Sequence, residues 1–196
     1  MQILDRTTCQ GATSGTAAHR TKIRIIQYAI YDNRGVWIAK KLRYLWNRGC
    51  DVGIIYALSS KPVLNILRNG SGRGPVPMRQ SITKNRRGEI AKYNHSKWMT
   101  ITGHWGGSTR AAVVFTGSSN WANLAFSSDE QMQRISSAGQ ARRYQSVYSH
   151  TWRQKTSRKP SYGTLSAAGR SMPQPADVPT TRPAFGHGVY RYMSAD

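Results

Sequence analysis

Residues 22–57 read KIRIIQYAIYDNRGVWIAKKLRYLWNRGCDVGIIYA, and the hydrophobic period changes twice within them. Residues 22–31 are rich in β-formers and nearly continuous in apolar side chains, the pattern of a strand covered on both faces. Asp32-Asn33-Arg34-Gly35 breaks the run, with Asp32 or Asn33 placed to cap a helix. Over 36–48, Ile38, Leu42, Leu45 and Trp46 share one helical face, whereas Lys40, Lys41, Arg43 and Arg48 fall elsewhere. Gly49 is suited to ending that helix in the left-handed conformation. Residues 51–57 then read as a second apolar strand. The unit is β-α-β, which predicts parallel strands joined by a right-handed crossover.

Outward from this unit, residues 1–20 are polar and rich in Gly and Thr, and are expected to form an N-terminal arm. Residues 61–68 read as a short helix with Pro62 in its first turn, and 69–77 as loop. Two strands are expected at 97–102 and 111–116, joined by GHWGGSTR. A short helix should follow Asn120, then a strand at 131–136 and an amphipathic helix at 138–154. Five of the eight prolines lie between 160 and 183, so 156–196 is expected to be a Pro-rich, basic extension. The expected fold class is therefore α/β, a mixed β-sheet flanked by helices, with one domain over 21–155.

Charge is the dominant compositional feature. Lys and Arg number 29 against 8 Asp and Glu, a net charge of +21. Solubility alone calls for a net charge of only about 2–8 on a small domain, so the excess points to an anionic partner. Nucleic acid is the leading candidate and an anionic phospholipid surface the second. Between residues 52 and 128 the only acid is Glu89, against ten Lys or Arg. No stretch approaches the roughly 20 apolar residues that span a bilayer. MQILDRTTCQ lacks the layout of a signal peptide, which leaves localisation open between secreted and cytoplasmic. The five histidines form no i, i+4 pair, and Cys9 and Cys50 lack zinc-site spacing, so neither metal nor cofactor is expected. Cys50 reads either as a buried thiol or as the partner of Cys9 in a disulfide, and the latter would indicate secretion.

Two short segments carry chemistry. In Asn94-His95-Ser96-Lys97, an imidazole and an ammonium lie two residues apart at a strand start, on one face. In Gly117-Ser118-Ser119-Asn120, a glycine permits close backbone approach while Ser and Asn offer neutral donors. Glu130 follows ten residues later. Nucleophile, cation, amide donors and orienting carboxylate are what phosphoryl transfer requires. An H-x-K alone is weak, because a lone histidine is more often structural; the ordered conjunction gives it weight. Lys84, Arg86 and Arg87, just upstream of His95, are candidates for substrate phosphate. Trp105 and Trp121 are candidates for a base or an acyl chain, while Trp37, Trp46, Trp98 and Trp152 read as core.

The series HSK, GSSN and SDEQ resembles the H-x-K…G-S-x-N…E signature of the phospholipase D superfamily, and the resemblance extends over about residues 20–155. It is most similar to the C-terminal half of bacterial phospholipase D-like proteins. The resemblance implies a phospholipase D-like α/β sandwich with one motif per chain. It also implies His95 as a nucleophile forming a phosphohistidine, Lys97 and Asn120 on the phosphoryl oxygens, Ser118 beside them, and Glu130 orienting a histidine. The family pattern H-x-K-x4-D departs here, since Thr102 stands where Asp is usual; altered packing or reduced activity is the expected result. The family mechanism uses two histidines, so a homodimer pairing two copies of His95 is expected, or else pairing with a second H-x-K domain. The alternatives are a phosphatidyl transferase and a non-catalytic relative that binds anions.

Overall fold

The computed structural model describes residues 2–158. Its first elements are α1 (Gln2–Asp5), β1 (Lys22–Ile30), α2 (Asp32–Asn47), β2 (Asp51–Ser59) and α3 (Lys61–Arg68). After these come β3 (Met78–Lys84), β4 (Ile90–Tyr93), β5 (Lys97–Trp105), β6 (Ser108–Gly117), β7 (Met132–Ser136), α4 (Ala138–Arg153) and β8 (Ser157–Arg158). One eight-stranded mixed sheet runs β4-β3-β2-β1-β5-β6-β7, with β8 paired to β3. The expected parallel pairing of β1 and β2 is present, from Lys22 opposite Asp51 to Ile30 opposite Ser59. β5 closes on the other side of β1 in antiparallel register. The fold class is thus α/β as expected, and α3 has the expected bounds.

Alternation along the central strands divides the core. Ile23, Ile25, Val52 and Ile54 pack with Leu42 and Leu45 of α2 and with Val63, Leu64 and Leu67 of α3. On the opposite face, Ile26, Ile55 and Trp98 pack with Tyr148 of α4, and Tyr144 and Trp152 lie against them. Both faces of β1 and β2 are therefore covered, which is why their sequences are continuously apolar instead of alternating. Among the described residues, no helix is long and apolar enough to cross a membrane.

Several expectations are corrected. Neither Asp32 nor Asn33 caps α2: the N-cap is Tyr31, without a side-chain cap, and Asp32 Oδ2 instead accepts from the backbone N–H of Asn123 (3.2 Å). Gly49 does take a positive φ, +100°. Arg43 is not on a solvated face. It is 8% exposed and donates to the carbonyls of Gly74 (2.6 Å) and Ser71, anchoring the 69–77 loop. Trp46 Nε1 donates to the same Gly74 carbonyl (3.0 Å). Trp37 is not core but 52% exposed, because it falls on the face of α2 turned from the sheet. Within residues 2–20, α1 forms and buries Leu4, while Cys9 and Ala12 are buried beyond it, so this stretch packs as part of the domain. The extension from 159 onward lies outside the described residues.

Cys9 and Cys50 are joined in a disulfide across a sequence separation of 41, which decides between the two readings of Cys50. It ties the N-terminal segment to the start of β2. In the chain-entropy account a loop of that size contributes about 4 kcal/mol. Reduction, or the Cys9→Ser/Cys50→Ser double substitution, is expected to lower unfolding free energy by about 3–4 kcal/mol in urea melts. An unchanged midpoint would show that the bond constrains nothing in the unfolded chain.

Tyr148 of α4 packs closely on the sheet at Gly53. A Cβ there would collide with the Tyr148 hydroxyl, and burial pushes the ionisation of that hydroxyl well above the ordinary tyrosine range. Gly53→Ala is expected to cost about 1–3 kcal/mol, as overpacking does. In a Tyr148→Phe background, which removes the obstructing oxygen, most of that cost should vanish. Additive losses in the double-mutant cycle would disprove the contact as the cause.

Candidate active site

His95 lies in the connection from β4 to β5, two residues before β5 begins. That connection is fixed by its neighbours. The backbone N–H of Asn94 donates to the Ser81 carbonyl (3.1 Å), and Asn94 Oδ1 accepts from the Ser96 N–H (2.9 Å). The imidazole is edge-on to Tyr28 at 4.5 Å between centroids and to Tyr93 at 5.8 Å, with the two tyrosines 5.1 Å apart. Such edge-to-face contacts restrict the ring without consuming its nitrogens. Lys97 opens β5. Its Nζ is 3.1 Å from Nε2 and 3.3 Å from Nδ1 of His95, and it donates to the His95 carbonyl at 3.0 Å. Partial burial lowers the pKa of Lys97, while the Glu130 carboxylate pulls it back up.

The second segment leaves β6 at Gly117. A Cβ at this position would strike the Gln131 carbonyl, so the glycine is required by the close passage of the chain into β7. The Ser118 N–H donates to the Gln131 carbonyl (3.2 Å), and the Gln131 N–H donates to Ser118 Oγ (3.2 Å). Ser118 Oγ in turn donates to Oε2 of Glu130, and Ser128 Oγ to Oε1 at 3.1 Å. Glu130 is thus clamped by two hydroxyls, and its field reaches Lys97. Gln27, 1% exposed, donates from Nε2 to the Ser119 carbonyl (3.2 Å), tying this loop to β1. Asn120 Oδ1 is buried with no hydrogen-bond partner among the described residues. An uncompensated amide oxygen at this point is unusual for a purely structural residue.

The other candidates separate. Trp121 stays with the site: its backbone bridges Ile30, and its side chain lines a small cavity with Gln27, Lys97 and Ser119. Trp105 does not. It ends β5, roughly 25 Å of strand from Lys97, and is 8% exposed. Its Nε1 donates to the Ile3 carbonyl (2.8 Å), and the Arg6 guanidinium lies 4.7 Å from its ring. It therefore anchors α1 and is removed from the candidate binding residues. Lys84 closes β3, and Arg86 and Arg87 lie in the exposed β3–β4 turn, which Asn85 Oδ1 holds by accepting from Arg87 N–H and Glu89 N–H. The same hairpin continues into His95. Thr102 pairs opposite Lys22 in the middle of the sheet and accepts from Gln145 Nε2 (3.1 Å). A neutral hydroxyl there spares a buried carboxylate its desolvation cost.

Tyr28, Tyr93, Gln27 and Ser128 had no signal in the sequence that marked them as part of this site. Tyr28 sits in an apolar run that reads as core, although Tyr93, two residues before His95, shares its local segment.

Residues 16–152 match the family model described as cardiolipin synthase, phospholipase D-like domain. No curated protein matches the chain. Among solved structures, the chain is similar to Nuc, a phospholipase D family member from Salmonella typhimurium. The identity is 17%, over 80% of this chain and 87% of that one, with a TM-score of 0.49. Polyphosphate kinase from Porphyromonas gingivalis is similar at 15% identity, over 66% of this chain and 21% of that one, with a TM-score of 0.42. The family model spans well over half of the sequence and includes both segments that build the site; this chain belongs to the phospholipase D-like family.

Proposed function

We propose that the protein is a metal-independent phosphodiesterase acting on DNA or RNA, with His95 as its nucleophile. The observation that carries this reading is the braced imidazole with the Lys97 ammonium 3.1 Å from its Nε2. A ring nitrogen of His95 attacks phosphorus, the P–O bond to the leaving group breaks, and a phosphohistidine forms. Lys97 and Asn120 stabilise the equatorial oxygens, while Ser118 and Glu130 orient that machinery. A second histidine protonates the departing oxygen. It then deprotonates the water that cleaves the P–N bond and returns His95. One H-x-K per chain supports a homodimer in which the second histidine is the partner copy's His95, or pairing with another H-x-K domain.

The net charge of +21 supports a polyanionic substrate, and Lys84, Arg86 and Arg87 on the hairpin entering the site are suited to backbone phosphates. The Cys9–Cys50 disulfide supports residence in an oxidising compartment outside the cytoplasm. A phosphatidyl-transfer reading on phospholipids draws on the description of the matching family model. Met132, 64% exposed and lining the cavity beside Trp121, is the apolar contact such a substrate would use.

Incubation with EDTA and plasmid, RNA or phosphatidylglycerol vesicles separates these readings. Cleavage of nucleic acid is expected from the wild type, with a loss of about 10³-fold or more in His95→Ala, and light scattering should give twice the chain mass. Vesicle turnover without nucleic-acid cleavage would replace the substrate; activity surviving in His95→Ala would remove the nucleophile.

The lowered pKa of Lys97 has a defined consequence. A base whose pKa is depressed loses its positive charge at a lower pH than its ordinary value of about 10.4, so stabilisation of the phosphoryl oxygens should fade early. The alkaline limb of kcat/KM is expected below that value. In Lys97→Arg, which cannot deprotonate in this range, residual activity should lose that limb. An identical limb in both proteins would assign it to another group.

A further inference from the structure

A second cluster of cations lies apart from His95, on the α4 side of the sheet. Where α4 ends and β8 begins, a cleft of about 450 Å³ is lined by Arg79, Trp152, Arg153, Lys155, Ser157 and Arg158. Four of these carry positive charge, and among the described residues no carboxylate lines the cleft. Four like charges around one concavity repel one another unless an anion sits between them.

The walls are built. Trp152 stacks on Tyr148 at 5.4 Å between centroids and 25° between planes, and the Arg79 guanidinium lies over its ring, 5.0 Å from the centroid. Ser157 is 4% exposed, and its backbone N–H is satisfied by the Gln154 carbonyl (3.0 Å). Its Oγ and the Nε of Arg79 are nevertheless buried with no hydrogen-bond partner among the described residues. A buried donor left without an acceptor is costly. Both belong to residues that line the cationic cleft, and an acceptor seated there would satisfy both.

We propose that this cleft binds a backbone phosphate of a nucleic-acid strand, remote from the phosphate that reacts at His95. Arg79 Nε and Ser157 Oγ donate to the phosphate oxygens, and Lys155 and Arg158 supply charge. The position suits an extended strand. Ser81 lies opposite Ser157 in the β3–β8 pairing, and its carbonyl also accepts the Asn94 N–H that fixes the His95 segment. The cleft and the nucleophile are therefore held by the same strand. The nature of the ligand rests on the nucleic-acid reading above, whereas the demand for an oxyanion rests on the cleft itself.

The test uses the full chain with His95→Ala to prevent cleavage, and fluorescein-labelled dT12 read by anisotropy at one fixed salt concentration. Arg79→Gln with Arg158→Gln is expected to weaken dT12 about tenfold or more. Ser157→Ala, a variant that removes only the buried hydroxyl, should weaken it about threefold. Arg142→Gln with Arg143→Gln, an equal loss of charge on the exposed face of α4, should change it less than threefold. Equal losses from the two charge-matched pairs would overturn the site, as would Ser157→Ala binding normally while melting at a higher temperature. Losses confined to phosphatidylglycerol vesicles, with dT12 unaffected, would also overturn it. Wild-type turnover of bis(p-nitrophenyl) phosphate reads the His95 assignment separately, so its absence would sink that assignment and leave the binding result standing.

Discussion

Register between β1 and β5 runs from Lys22 opposite Thr102 to Gln27 opposite Lys97, and β1 is at the same time locked in parallel to β2. A strand hydrogen-bonded on both edges and buried on both faces has no freedom to slip, because a shift of one residue would exchange its two sets of side chains between the two cores. From this follow the placement of Lys97 beside the end of β1, the approach of Tyr28 to His95, and the reach of Gln27 to the Ser119 carbonyl (3.2 Å). The candidate site is assembled from separated stretches, and β1 registers against the one that carries Lys97 and bonds to the one that carries Ser119.

The acids of the described region are almost all committed. Asp51 pairs with Arg24 at 2.6 Å and Asp5 with Lys41 at 2.7 Å. Asp32, Glu89 and Glu130 are instead held by neutral donors. The more exposed Asp5–Lys41 pair contributes little to stability. The significance of these pairings is that they leave the large excess of cations facing outward, uncompensated by the protein's own carboxylates. The excess charge therefore contributes little to the fold, and a field of this size favours encounter with polyanions.

What could be read from the sequence was what depends on local period. The covered strands 22–31 and 51–57 show as apolar runs, and α3 shows through its proline and its apolar spacing. β3 and β4 could not be seen, since MRQSITK and IAKY have neither an apolar run nor alternation. They are strands because β2 and the hairpin turn provide partners, not because their side chains demand it. Arg43 and Trp105 were misplaced for a related reason: an arginine reads as solvated and a tryptophan between glycines reads as exposed, until distant carbonyls at Ser71, Gly74 and Ile3 supply the bonds that allow burial. The motif residues were legible because their chemistry is local. Tyr28 and Gln27 were hidden because only the sheet brings them to His95.

The bracing of His95 has a direction. Tyr28 and Tyr93 meet the ring edge to face, and Lys97 approaches its nitrogens from β5, so these supports come from the chain's own sheet and leave the imidazole exposed. Burial on every side would fix it more firmly but would exclude a phosphodiester and any second histidine. In the proposed reaction the imidazole attacks phosphorus and water later attacks that same phosphorus opposite the P–N bond, so the ring needs an open hemisphere for the phosphoryl group. Aromatic contacts restrain the ring at little cost in desolvation. Under the proposed mechanism, the same openness leaves room for a second H-x-K motif to supply the acid.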